Sequence, residues 1–295
     1  MGLKSFKKHA QERKVPKGFY KNKDGTVSID HDTSNNRPGT KRPSLNKKKT
    51  VNEAADHEKS LDDHAAEHNK EDHTEYLKTH SADVHKHAHD AGSIKQFKSY
   101  SGGVNSKLLE GHKKGLKHHE VHTMFEHDMH HNFGKAHEPG FESHGHMHHT
   151  IMKHSKPLGK KITLYHGTQH DFGAAAKKSS KGIVHSPAHL STSHDHKVAS
   201  DFAGHESSTF DRHVVAIHAN KKDKAVYIDG KTKKGKIGSG ENETVVPAGT
   251  KLKHIKSHKT SCGHTLHHFK IHDQSETNQA GSGHGTYKDH AKANT

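Results

Sequence analysis

The stretch Glu241-Asn-Glu-Thr-Val-Val-Pro-Ala-Gly-Thr-Lys-Leu252 places two carboxylates, two residues apart, directly before a short β-branched run. Thr244-Val-Val246 reads as a strand, and Leu252-Lys-His-Ile255 as the next. Working outward, Ile162-Thr-Leu-Tyr165, Val214-Val-Ala-Ile217 and Ala225-Val-Tyr-Ile228 are equally short and turn-bounded, and Leu266 to Ile271 alternates once more. One helix is expected among them, from about Asp195 to Ala203. Clustered strands preceded by helical segments imply an α+β domain rather than a doubly wound parallel sheet.

Upstream the pattern weakens. Residues 1–50 are Lys-rich and punctuated by Pro16, Pro38, Pro43 and the turn-like Asp24-Gly25, which predicts a basic leader without regular structure. Residues 51–93 are rich in His, Ala and Glu, with a thin helical stripe through Ala54, Leu61, Ala65 and Leu77. His57, His64 and His68 fall on one face of that helix. Ile94, Phe97, Leu108, Leu109, Val121, Met124, Phe125 and Met129 mark short helices, expected to break at Gly102-Gly103 and Gly111. Residues 134–150 are expected to link them to the strands, and 273–295 to form a polar tail.

Composition limits how much of this can be packed. Of 295 residues only 27% are hydrophobic, none is Trp, and mean hydropathy is −1.12, so the core must be concentrated in part of the chain. The formal charge of +15, with forty histidines near their titration point, favours acidic partners, nucleic acid through the leader among them. Cys262 is the single cysteine and excludes an internal disulfide. No apolar run approaches the roughly 20 residues needed to span a bilayer, so no membrane partner is expected. The first residues lack the apolar core of a secretory signal. The single thiol fits a reducing compartment, a bacterial or host cytoplasm.

Three segments carry candidate chemistry: Leu164-Tyr-His-Gly-Thr168, Leu190-Ser-Thr-Ser193 and Glu241-Asn-Glu243. Singly each has an ordinary explanation, as a turn, a helix cap and a solvated strand face. In this order and with these flanks they resemble the arginine-serine-glutamate class of mono-ADP-ribosyltransferases, which includes binary-toxin components and the Alt-type enzymes of tailed phages. Its pattern is an aromatic-Arg-Gly strand, then Ser-Thr-Ser, then Glu-x-Glu entering a strand that continues Pro-x-Gly-Thr-x-Leu. Tyr100-Ser-Gly-Gly-Val-Asn-Ser-Lys-Leu108 resembles the upstream Tyr…Asn…Leu segment in compressed form. The resemblance covers roughly residues 94–272.

It implies a split antiparallel β-sandwich with N-terminal helices, NAD in the cleft between its halves, and a protein arginine of the host as acceptor. Ribosyl transfer from NAD passes through an oxocarbenium-like state, which a carboxylate beside the ribose can stabilise. By resemblance Glu243 takes that role, Glu241 orients the acceptor and Ser191 braces Glu243. His166, Gly167, Thr168, Ser191, Thr192, Tyr100 and Asn105 would contact the cofactor. His166 departs from the family's Arg, whose bidentate fork an imidazole cannot reproduce. His stands there in the poly-ADP-ribose polymerase and diphtheria-toxin branch, which has Tyr in its second motif; tRNA 2′-phosphotransferases share the His-Gly strand but lack Glu-x-Glu.

Of the forty histidines, clusters such as His85-Lys-His87-Ala-His89 and His144-Gly-His-Met-His-His149 offer imidazoles to Zn²⁺ or Ni²⁺. Their redundancy points to adventitious affinity, and no dedicated metal site is expected. The alternative reading is a catalytically silent, His- and Lys-rich protein that binds nucleic acid or metal while keeping the fold.

Overall fold

The computed structural model describes residues 15–16, 18–30, 60–69, 71–86, 88–116, 120–121, 144–204, 211–232, 235–237 and 241–275. Its strands are β1 (Phe19–Lys21), β2 (Val27–Ile29), β3 (Lys156–Pro157), β4 (Ile162–Thr168), β5 (Ile183–Ser186), β6 (Leu190–Ser193) and β7 (His213–Ala219). They continue as β8 (Lys224–Tyr227), β9 (Gly230–Thr232), β10 (Gly235–Ile237), β11 (Glu243–Val246), β12 (Thr250–Lys259) and β13 (Thr265–Asp273). The helices are α1 (Leu61–His68), α2 (Thr74–His80), α3 (Ala88–Lys113), α4 (His144–His154), α5 (Phe172–Lys178) and α6 (His196–Ala203), with a 3-10 turn at Ala82–His85.

Eleven strands join in the order β1-β2-β5-β12-β13-β7-β4-β6-β11-β8-β3, and β9 and β10 form a separate hairpin. Pairing is antiparallel except between β13 and β7 and between β2 and β5. One junction is much weaker than its neighbours. β4 follows β7 through seven partnered residues but meets β6 at one, Tyr165 opposite Ser193. The sheet is thereby split into a seven-stranded and a four-stranded half.

Side-chain alternation sorts the apolar residues of both halves into three cores. Leu164, Val215, Ile217 and Phe269 of the larger half share one core with Leu190, Ala225, Tyr227 and Val246 of the smaller. The opposite faces are covered by helices. Val226, Ile228 and Val245 pack against Ile94, Phe97, Val104 and Leu108 of α3 and Met147 and Ile151 of α4. Tyr165, Val214, Ala216 and Leu266 pack against Ala199 and Ala203 of α6 and Leu61 and Ala65 of α1. The result is the expected α+β sandwich, two sheet halves with helices on both outer faces.

Three upstream expectations need correction. Residues 18–30 are not irregular: β1 and β2 form a hairpin about Asp24-Gly25, and β2 extends the sheet beside β5. Phe19, Val27 and Ile29 enter the shared core. The glycines of residues 94–113 do not break a helix, because α3 runs unbroken for 26 residues. A side chain on Gly103 would collide with the His144 ring, its Cε1 only 2.6 Å away, and one on Gly111 would lie 2.8 Å from Val121 Cγ2. These glycines let neighbours approach α3, and that packing offsets their helix cost of about 1 kcal/mol each. The stretch expected as a link is helical from His144, where α4 buries Met147, His148 and Ile151.

The expected boundary at residue 94 does not separate packing units, since Leu61 and Leu77 enter the cores. The rest of the leader, the apolar residues Met124, Phe125 and Met129, and the tail from 276 lie outside the described residues. Among the described residues no helix is long and apolar enough to cross a membrane.

Candidate active site

A cleft lies at the seam. Its floor comes from β4 (Tyr165, His166, Gly167) and β6 (Ser191, Thr192, Ser193), one wall from α6 (Val198, Ala199, Phe202) and the other from α3 (Lys98, Ser101). Glu241 and Glu243 enter where the chain turns into β11.

The approach to β11 is fixed by several bonds. Asn242 adopts φ +52°, a left-handed conformation that Asn tolerates better than most residues, and Tyr227 Oη donates to its Oδ1 at 3.2 Å. Ser193 Oγ donates to the Glu241 carbonyl at 2.8 Å, and the Glu243 amide donates to Asp229 Oδ2 at 3.1 Å. β11 then pairs with β6, setting Glu243 opposite Ser193 and Val245 opposite Ser191. Thr192 does not present its hydroxyl freely to the cleft, because Oγ1 donates to the Thr244 carbonyl at 2.5 Å.

Glu243 is the electrostatic centre. Burial raises its carboxyl above the ordinary carboxylate range; Lys98 and a hydrogen bond from Ser191 pull it back, and Asp229 and Glu241 push it up again. The net direction is upward. Lys98 Nζ stands 3.4 Å from Glu243 Oε2 and also bonds Asp229. Burial would lower the ammonium, but Glu243, Asp229 and Glu241 outweigh it and hold Lys98 above its usual value. The lysine thus stays charged and faces the carboxyl groups of Glu243 and Asp229 together.

His166 is 4% exposed, and its Nδ1 donates to the Ser191 carbonyl at 2.9 Å. Burial pushes its pKa down to about 4 despite that bond, so the ring is neutral at pH 7 with Nε2 unprotonated. Nε2 is buried with no hydrogen-bond partner among the described residues, and the same holds for Tyr165 Oη. Gly167 is required by packing: a Cβ there would run into the Ala199 carbonyl and lie 2.8 Å from Ala203 N. Its missing side chain lets α6 lie directly on β4.

The seam therefore gathers Glu241, Glu243, Ser191, Thr192, His166 and Gly167. Two expected cofactor contacts lie elsewhere. Thr168 is buried and accepts from the His170 amide at 3.2 Å, closing the turn after β4. Asn105 clamps the backbone of His189, donating to its carbonyl at 3.2 Å and accepting from its amide at 3.1 Å. It positions the entry to β6 from beneath. The Tyr100 side chain lies outside the described residues.

Sequence reading missed Lys98, Ser101, Tyr165, Phe202 and Asp229. A signal for Lys98 exists. On α3 the buried stripe runs Ile94, Phe97, Val104 and Leu108, and Lys98 and Asn105 are polar residues at stripe positions. A polar residue at a core position needs a partner, and both have one.

No known protein family matches the sequence, and no curated protein matches it. Among solved structures the chain is similar to an ADP-ribosyltransferase from Clostridium botulinum, at 13% identity over 71% of this chain and 94% of that one, with a TM-score of 0.44. It is similar to the Clostridium limosum C3 exoenzyme, at 11% identity over 75% and 98%, TM-score 0.44. It is also similar to the Vis toxin, an ADP-ribosyltransferase from Vibrio splendidus, at 16% identity over 74% and 88%, TM-score 0.39.

Proposed function

We propose that the chain is an NAD-dependent mono-ADP-ribosyltransferase acting on a protein side chain, with arginine as the acceptor. The observation that carries this reading is the buried Glu243 carboxylate, braced by Ser191 and Lys98 at the seam between the sheet halves. NAD supplies an ADP-ribosyl group whose bond to nicotinamide breaks with positive charge building on the ribose. The residues present fit that group in two ways. His166 Nε2 is a lone-pair acceptor without a partner among the described residues, suited to a ribose hydroxyl. Glu243 is a carboxylate in a low-dielectric cleft, where stabilisation of positive charge is strong.

The remaining roles follow from position. Ser191 holds the Glu243 carboxylate, and its own carbonyl fixes the His166 tautomer. Lys98 opposes the upward pull of burial on the Glu243 carboxyl. Glu241 lies at the cleft beside Glu243 and is assigned to the incoming guanidinium, which is always protonated in water and calls for a carboxylate to orient it. We assign the basic leader to contact with nucleic acid, and place the protein in a phage setting where it modifies host transcription or translation machinery.

The deciding experiment incubates the wild-type protein and its Glu243→Gln variant with labelled NAD and bacterial lysate. The wild type should label protein and release nicotinamide, and the variant should lose at least ~100-fold of both. Absence of label and nicotinamide from the wild type overturns the enzyme reading. Label that survives hydroxylamine treatments cleaving arginine linkages overturns the choice of acceptor alone.

A further inference from the structure

On the outer face of the seven-stranded half, away from the cleft, five imidazoles meet. His64 and His68 project from one face of α1, and His218, His258 and His268 stand on the adjacent strands β7, β12 and β13. His64 Nε2 lies 2.6 Å from His258 Nε2, and His218 Nε2 lies 2.9 Å from His268 Nδ1. The His268 ring is 5.5 Å from His64, 5.8 Å from His68, 5.2 Å from His218 and 5.3 Å from His258 between centroids. His268 is thus the hub.

Candidate ligand atoms of His64, His258 and His268 all lie within 4.8 Å of one another, and so do those of His68, His218 and His268. His64, Glu67 and His68 form a third such set on α1 itself. His64 Nδ1 and His268 Nε2 are buried with no hydrogen-bond partner among the described residues. Burying several polar rings side by side is costly unless each lone pair and each proton finds a partner. The His64–His258 contact satisfies one nitrogen of each ring through a shared proton, so the shortfall lies at His64 Nδ1 and His268 Nε2.

We propose that His64, His258 and His268 bind one divalent transition-metal ion of the Zn²⁺ type, with His68, which shares one ligand set with His64 and another with His268, as the fourth ligand. The all-nitrogen set suits Zn²⁺, Co²⁺, Ni²⁺ or Cu²⁺ and is poorly matched to Mg²⁺ or Ca²⁺, which require oxygen ligands. Zinc–nitrogen bonds of about 2.0–2.1 Å at tetrahedral angles place ligand nitrogens about 3.3 Å apart, so the His64 and His258 nitrogens, 2.6 Å apart, must separate by about 0.7 Å to admit it. Lys256 opposes a cation here and Glu67 favours one; both are exposed. The exposed His68 side gives the ion its entry path.

Such an ion would clasp α1 to the sheet. Apart from its packing, α1 is held at its C-terminal end by Asn69, which donates to the carbonyls of Thr163 and His194 at 2.9 and 3.2 Å. Asp62 of α1 reaches His196 of α6, the helix that walls the cleft. The clasp therefore acts behind the cleft wall and is independent of the transferase reading.

Cobalt tests it, because tetrahedral Co²⁺ gives intense visible bands and the chain has other histidines to compete. The full chain, stripped with chelator, is titrated with Co²⁺ and compared with His258→Asn, His268→Asn and a control, His284→Asn/His290→Asn. One equivalent should produce tetrahedral bands and raise the melting temperature in wild type and control. Affinity should fall at least ~10-fold in both cluster variants. The melt of chelated His258→Asn, changed at a half-exposed position, verifies the fold and decides the matter if His268→Asn fails to fold. Bands unaffected by His258→Asn, or several weak equivalents shared alike by all variants, overturn the site as adventitious binding only.

Discussion

Glu243 sits in a balance that two substitutions can resolve. Burial raises its carboxyl while Lys98 is the largest influence lowering it. Lys98→Met removes that charge and leaves burial, Asp229 and Glu241 all pushing upward. The acid limb of the pH profile for nicotinamide release, which reports ionised Glu243, should move at least ~1 unit to higher pH. An unmoved limb would remove Lys98 from this role. Stability responds in the opposite sense to activity. A carboxyl raised in the folded state contributes stability below its unfolded value of 4.5, and that contribution is lost as pH rises through the folded value. Once ionised, the carboxylate is therefore a burden on the folded state. On that sign the Glu243→Gln variant should melt at a higher temperature than the wild type. Calorimetry of the two proteins reads this directly, and a lower melting temperature for the variant would count against it.

At the scale of elements, the seam depends on how closely α6 lies on β4. Gly167 has no room for a Cβ beside the Ala199 carbonyl, and the obstruction is backbone rather than a side chain that could turn away. Gly167→Ala should cost ~2 kcal/mol or more and enlarge KM for NAD, since Val198, Ala199 and Phe202 would be displaced from the cleft. Chemical denaturation gives the first quantity and steady-state kinetics the second; a variant as stable as wild type refutes the packing argument. Gly167 also shows how much of the site was legible. The His-Gly pair, Ser-Thr-Ser and Glu-x-Glu were visible because each occupies a contiguous strand end, and local order preserves them. Lys98 was hidden because its partners Asp229 and Glu243 are far along the chain, and only folding brings them together. The glycines of α3 misled for a related reason. Their meaning lies in His144 and Val121, which local propensity does not register.

At the scale of the whole molecule, the strands were legible from β-branched runs, whereas β1 and β2 were concealed by the Lys-rich composition around them. Composition does foretell the response to acid. His166 and His218 are pushed down to about 4, His267 to about 3 and His268 to about 2, in each case mainly by burial. The unfolded chain protonates these rings near pH 6.5, so between that value and the folded ones it binds more protons than the native state. Depressed values of this kind give stability that is present above pH 6.5 and lost as pH falls toward 4. Each ring contributes a slope of at most ~1.4 kcal/mol per pH unit, and the formal charge of +15 adds self-repulsion as further histidines titrate. Urea unfolding measured without metal should accordingly be flat from pH 8 to 7 and fall steeply between pH 6.5 and 5. Unfolding at pH 5.5 should take up protons, and a pH-stat can count them. Stability that holds level down to pH 5, or proton release in place of uptake, would mean that these rings are solvated in the folded protein rather than buried among its strands.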